Sequence, residues 1–245
     1  MKRFVTSSFI ILILLTCFSC VNKHQEKSTD NQSLTDFSSI NNTTITNATD
    51  ALNSIPDSVL LFIKGDWNGD GIEEKLTECY FSKKLNRVII SPYFSDTIDD
   101  FIDKIGEAIK LDPRVYLVSE NNRLDTLIIS DGQNKQTWGI DYLRNMGDMD
   151  DDGGEELGYV EHIAQMSSLT MYHIASYKNN KWEILFAFPT WSWAISDTLV
   201  KKVGDFKYEI TYRGREAFEE KMILDFKKTP RPESLPYFIE GTMEN

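Results

Sequence analysis

Two short stretches of the chain set oxygen-bearing side chains at alternate positions inside tight, glycine-containing turns. The first reads Gly65-Asp66-Trp67-Asn68-Gly69-Asp70-Gly71-Ile72-Glu73-Glu74 and the second Gly147-Asp148-Met149-Asp150-Asp151-Asp152-Gly153-Gly154-Glu155-Glu156. Numbered from the first Asp, both carry an oxygen at positions 1, 3 and 5, Gly at 6 and Glu at 9. A hard cation such as calcium takes six to eight oxygens at roughly 2.3–2.6 Å. Alternate residues of a tight turn point inward, the glycine permits the sharp bend, and the position-7 carbonyl adds an oxygen. The expected ligands are Asp66, Asn68, Asp70, Glu74 and the Ile72 carbonyl in one loop. In the other they are Asp148, Asp150, Asp152, Glu156 and the Gly154 carbonyl. The second loop packs six carboxylates into nine residues. Two carboxylates about 4 Å apart repel by roughly 1 kcal/mol in water and several times that near a protein surface. A divalent cation reverses that sign, so two bound calcium ions are expected.

The flanking residues read as strands, not helices, and position 12 is Thr77 in one loop and Tyr159 in the other. An EF-hand needs Glu there, so these are not EF-hands. The pattern resembles the calcium loops of FG-GAP and related repeats of integrin-type β-propellers, where Gly-Asp-x-Asn-Gly-Asp-Gly-x-x-Asp joins two strands. The first loop follows it with Glu74 for the last Asp. The second has Asp150 for Asn and Asp151 for Gly, which strains the backbone if residue 151 needs a positive φ. The resemblance implies a calcium-stabilised β scaffold. The loops lie 82 residues apart, wider than tandem blades of about 40–60 residues, and the chain is too short for a full ring. The expected fold is therefore mainly β: antiparallel blade-like sheets, either a partial propeller or a sandwich, with two sheets packed together.

Strand-like segments fall at 58–63, 74–81, 87–90, 115–119, 126–130 and 137–142, then at 206–212 and 222–226. Residues 157–165, 169–177 and 182–188 read as a three-strand meander, its last turn being Lys178-Asn179-Asn180-Lys181. One helix is expected at 96–110, where Ile98, Phe101, Ile102, Ile105 and Ile109 share a face, Asp96 caps the start and Pro113 follows the end. The domain spans 56–229, and the proline-containing tail 230–245 is expected to be extended.

Before the domain come a leader and a tether. Lys2 and Arg3 precede an apolar run of about ten residues, too short to cross a bilayer but suited to a secretory signal peptide at 1–19. The run ends Cys17-Phe18-Ser19-Cys20, which resembles the lipobox of bacterial lipoproteins. That resemblance implies a lipid on Cys20, with Cys17 as the rival position, and a protein anchored in the bacterial cell envelope, at the outer membrane on its periplasmic or surface face. Residues 20–55 are polar and aperiodic, a composition that favours a disordered tether.

The chain holds 26 Lys+Arg against 38 Asp+Glu, and loss of Lys2 and Arg3 with the leader takes the net charge from −12 to −14. That balance repels phosphate backbones and argues against a nucleic-acid partner. Cys79 would be the one thiol left in the domain, so no internal disulfide can stabilise it, and burial rather than nucleophilic chemistry suits it. No Gly-x-Ser-x-Gly, His-Glu-x-x-His or phosphate-cradling loop occurs, and enzyme activity is not the favoured reading. His162 and His173 sit on adjacent predicted strands, but two His are a weak metal signal. Trp191 and Trp193 read mainly as core anchors and alternatively as an exposed platform for a sugar. Two functions follow. One is a non-enzymatic envelope module presenting loops to a protein or glycan. The other is a glycan-binding or glycan-degrading protein with its site near 189–193.

Overall fold

In the computed structural model, the described residues are 61–89, 106, 110–131, 137–163, 168–214, 218–228 and 233–236. The leader, Cys17, Cys20, the tether, and most of segment 96–110 and of the tail lie outside them. Gly106, Lys110 and Leu111 carry helical backbone, and Pro113 opens a strand soon after.

The described residues form twelve strands: β1 (Phe62–Gly65), β2 (Glu74–Ser82), β3 (Arg87–Ile89), β4 (Pro113–Ser119), β5 (Leu127–Ser130), β6 (Thr137–Asn145), β7 (Leu157–Ile163), β8 (Leu169–Lys178), β9 (Lys181–Trp191), β10 (Val200–Gly204), β11 (Lys207–Arg213) and β12 (Glu219–Asp225). The fold is mainly β and every strand pairing is antiparallel. The strands make three sheets rather than two. The first has the order β1-β2-β4-β5 with β3 also on β2; the second is the meander β6-β7-β8-β9; the third is β10-β11-β12.

The second sheet is the middle layer. In β7 and β8, Leu157, Tyr159 and Ala175 face one core, shared with Leu76, Leu117, Leu124 and Leu127 of the first sheet region. Val160, Tyr172 and Ile174 face the other core, shared with Val200, Tyr208, Ile210 and Leu224 of the third. Burial on both faces explains why 169–177 reads as a near-continuous apolar run instead of an alternating one. The β8–β9 hairpin turns through Asn179 (φ 52°) and Asn180 (φ 62°), two consecutive left-handed residues of the kind a tight two-residue hairpin requires. β9 is an edge strand, which is where Pro189 is tolerated. Its outer side meets the tail: Leu235 N–H donates to the Ala187 carbonyl (2.8 Å), and Ala187 N–H to Ser234 Oγ (2.9 Å). Residues 233–236 thus dock on the domain.

β10 is a strand that the sequence pattern hides. Lys201 and Lys202 fill its middle, only Val200 is buried, and its register with β11 shifts between Lys202 and Gly204. Cys79 is buried on β2, and burial, helped by Glu78, pushes its thiol up to about 12, so it is an inert core residue.

Glu78 joins the first sheet to the second. Its Oε1 accepts from Ile140 N–H (2.8 Å) beside Tyr80, and Gly139 (φ 110°) leaves no room for a Cβ against the Tyr80 hydroxyl. Burial, with Asp141 nearby, raises the Glu78 carboxyl to about 7, and the Tyr80 and Ile140 hydrogen bonds oppose the rise. A folded-state pKa above the usual 4.5 means that the native state holds the proton more tightly. The stabilisation is complete below pH 4.5 and is lost as pH rises to about 7. Glu78→Gln should therefore match wild type in urea unfolding at pH 4.5 and exceed it at pH 8 by roughly 1–3 kcal/mol. Equal stabilities at both pH values would count against this assignment.

Candidate metal centre

Both acidic segments close β-hairpins, one between β1 and β2 and one between β6 and β7. They are one local structure built twice. The backbone turns left-handed at position 4 (Gly69 φ 73°, Asp151 φ 66°) and again at position 6 (Gly71 φ 83°, Gly153 φ 94°). Asp151 thus adopts a conformation for which the first loop uses glycine; Asp tolerates it better than most residues. The position-1 carboxylate faces into each turn. Asp66 accepts from the N–H groups of Asp70 (3.0 Å) and Gly71 (2.8 Å), Asp148 from those of Asp151 (2.6 Å) and Gly153 (3.2 Å). Position 5 accepts from position 7: Ile72 N–H to Asp70 (2.9 Å), Gly154 N–H to Asp152 (3.0 Å). Position 9 accepts from position 2: Trp67 N–H to Glu74 Oε2 (3.3 Å), Met149 N–H to Glu156 Oε2 (2.5 Å).

Position 2 explains what holds each loop down. Trp67 and Met149 are both fully buried, Trp67 in the core between the first and second sheets and Met149 in the core between the second and third. Each is an apolar plug whose burial is worth roughly 2–3 kcal/mol.

The loops also touch. Asp66 N–H donates to Glu155 Oε2 (2.9 Å), Glu155 N–H donates to the Asp66 carbonyl (2.9 Å), and Asn145 Nδ2 donates to Glu155 Oε2 (2.6 Å). A Cβ on Gly69 would lie 2.9 Å from the Gly153 carbonyl carbon, and one on Gly154 would lie 2.8 Å from the Trp67 carbonyl oxygen.

The two loops differ at the ligand atoms. Among the described residues, ligand atoms of three acidic, His or Cys side chains gather within 4.8 Å of one another at Asp148, Asp150 and Glu156. Glu156 is fully buried. Ser176 lies beside it, yet neither Glu156 Oε1 nor Ser176 Oγ makes a well-formed hydrogen bond. Burial pushes Glu156 up to about 8; Asp150 and Asp152 add to the rise, while the Met149 N–H and the Ser176 hydroxyl oppose it. Lys178 Nζ lies 2.5 Å from both Asp150 Oδ2 and Asp152 Oδ2, and Lys227 pairs with Asp151. In the first loop Arg123 bridges Asp70 Oδ2 (3.0 Å) and Glu74 Oε1 (3.5 Å), and burial raises Glu74 above the usual range. The sequence ranks the first loop as the closer match to a known calcium pattern; the geometry gathers ligands at the second.

The other sequence candidates fare unequally. His162 and His173 are not brought together: the register sets His173 opposite Tyr159, on which it stacks at 4.8 Å, and His162 Nδ1 lies 2.7 Å from Asp141 Oδ1. Trp193 is not a core anchor. It is 72% exposed and stacks on half-buried Trp191 (centroids 6.0 Å, 12°), with the Arg213 guanidinium 5.0 Å from the Trp191 ring. Arg123, Lys178 and the Glu155 clasp were not legible as partners of the loops, because sequence separations of 53 residues for Arg123–Asp70 and 89 for Asp66–Glu155 leave no local signal. The paired plugs at position 2 were legible in principle, as the apolar residue repeated between two oxygen-bearing side chains.

The chain matches no family model, no curated protein and no solved structure.

Close approach of the loops is testable at Gly154, whose backbone does not require glycine but whose Cβ would strike the Trp67 carbonyl. Gly154→Ala should lower unfolding stability by about 1–3 kcal/mol. An unchanged urea midpoint would mean that the loops are not packed this way.

Proposed function

We propose that this chain is a lipid-anchored protein of the bacterial cell envelope whose β domain binds calcium in the 148–156 loop and acts as a non-enzymatic interaction module. The observation that carries the calcium reading is the Glu156 carboxylate. It is fully buried, its Oε1 has no well-formed hydrogen bond, and its ligand atom lies within 4.8 Å of those of Asp148 and Asp150. Three converging carboxylates repel, and a buried carboxylate oxygen whose neighbouring hydroxyl forms no well-aligned hydrogen bond is costly. A divalent cation removes both costs at once. Asp152 and the Gly154 carbonyl complete the expected ligand set. An all-oxygen donor set on an irregular hairpin turn suits calcium better than magnesium, which demands near-ideal octahedral geometry. Anchoring rests on the leader and the Ser19-Cys20 ending.

A second reading draws on Trp193. A large, exposed aromatic face braced by Trp191 and Arg213 is suited to stack against a sugar ring, which supports glycan as the partner class. Tryptophan fluorescence titrated with glycan fragments should respond in wild type and not in Trp193→Ala; no response in wild type removes that reading.

The calcium reading is tested by thermal melts of the purified chain in calcium, magnesium and chelator. Millimolar calcium should raise the midpoint by several degrees and magnesium by much less, because a ligand that binds only the native state stabilises it. Glu156→Gln should abolish the calcium shift. No calcium shift in wild type would sink the reading.

A further inference from the structure

The duplicated hairpin supplies an internal comparison. Glu74 and Glu156 occupy the same position, are both buried, and both receive the position-2 N–H on Oε2. Their other oxygens differ. Glu156 Oε1 has no well-formed partner. Glu74 Oε1 lies 3.5 Å from Arg123 Nη1, and the same guanidinium donates through Nη2 to Asp70 Oδ2 at 3.0 Å. Asn68 turns its amide nitrogen toward those two oxygens as well, 3.4 Å from Glu74 Oε1 and 3.3 Å from Asp70 Oδ2. A donor is thus aimed where an ion would need the Asn68 carbonyl oxygen.

Arg123 is delivered by the fold. It follows the short 3-10 turn Glu120–Asn122 between β4 and β5, and that connection is held by Leu124 N–H on Ser119 Oγ (2.9 Å) and by Asp125 N–H on the Tyr177 hydroxyl (3.0 Å). A guanidinium is planar, charged at every accessible pH, and able to span two carboxylates with separate N–H groups. The second loop also has a basic neighbour, but Lys178 Nζ pairs with Asp150 and Asp152 and leaves Glu156 Oε1 unsatisfied.

We propose that Arg123 is the built-in cation of the first loop, standing where an exchangeable ion stands in the second, so that the chain binds one divalent cation instead of two. The one-site count rests on the calcium reading of the 148–156 loop. The same ligand pattern therefore serves two ends: one hairpin is closed by its own side chain and the other by metal. The first loop becomes a latent site, blocked because the guanidinium and the Asn68 amide nitrogen already hold Glu74 Oε1 and Asp70 Oδ2, whereas Lys178 leaves Glu156 Oε1 open.

Calorimetric titration of the full chain with calcium chloride reads this directly. Wild type should bind one ion. Arg123→Gln should bind two, and adding Asp66→Asn to that variant should return the count to one. Arg123→Lys keeps the positive charge and should still bind one. Two ions on wild type would overturn the inference, and so would an unchanged count in Arg123→Gln. No binding to wild type would instead sink the reading of the 148–156 loop. The role of Arg123 would then be decided by whether Arg123→Gln gains a site that wild type lacks.

Discussion

The placement of a carboxylate in the protein interior is the constraint on which the rest depends. Glu156 is fully buried just before β7 of the middle sheet, next to two aspartates, and burial, with Asp150 and Asp152 adding to it, raises its proton affinity above that of a free side chain. An interior acid can be kept protonated, paired with a basic side chain, or bound to metal. The chain uses pairing for the equivalent Glu74, through Arg123. For Glu156 the remaining oxygen lacks a donor of good geometry, and the proposed calcium ion supplies what the side chains do not.

The architecture follows from holding two such hairpins together. Each is plugged into a different core by its position-2 residue, Trp67 or Met149. Glu155 then clasps the main chain of Asp66 at both its N–H and its carbonyl. The loops therefore lie where the first sheet meets the second, with the third sheet beneath Met149. A domain without a disulfide thus gains cross-links between layers from polar loops, not from covalent bonds. Arg123 and Lys178 extend the same logic, since each brings positive charge from elsewhere in the chain onto an acidic turn.

Much of this was legible in the sequence and some could not have been. The hairpin nature of both loops, the left-handed demand at residue 151 and the Asn179-Asn180 turn follow from local residue type, because φ preferences act within a few residues. The mainly β class follows from short apolar runs between turn residues. β10 escaped because two lysines occupy its centre and its pairing is set by β11. Three sheets replaced the expected two because β10 to β12 pair only with one another as a local meander, and no local pattern encodes whether such a meander joins an earlier sheet or stands apart from it. Trp193 escaped because an alternating aromatic pair looks the same whether its second member enters a core or leaves it. The sequence favoured the first loop, yet the ligand atoms gather at the second, and at the first Arg123, a residue distant in sequence, lies on Asp70 and Glu74. A basic side chain arriving from another strand connection has no signature near the loop that it neutralises.

The most direct measurement is anomalous diffraction from crystals grown with calcium. The account predicts a peak among Asp148, Asp150 and Glu156, coordinated by six to eight oxygens at about 2.3–2.6 Å, with the Glu156 Oε1 among them. No peak in the 148–156 loop, with Glu156 Oε1 satisfied instead by a water or a protein hydrogen bond, would contradict it.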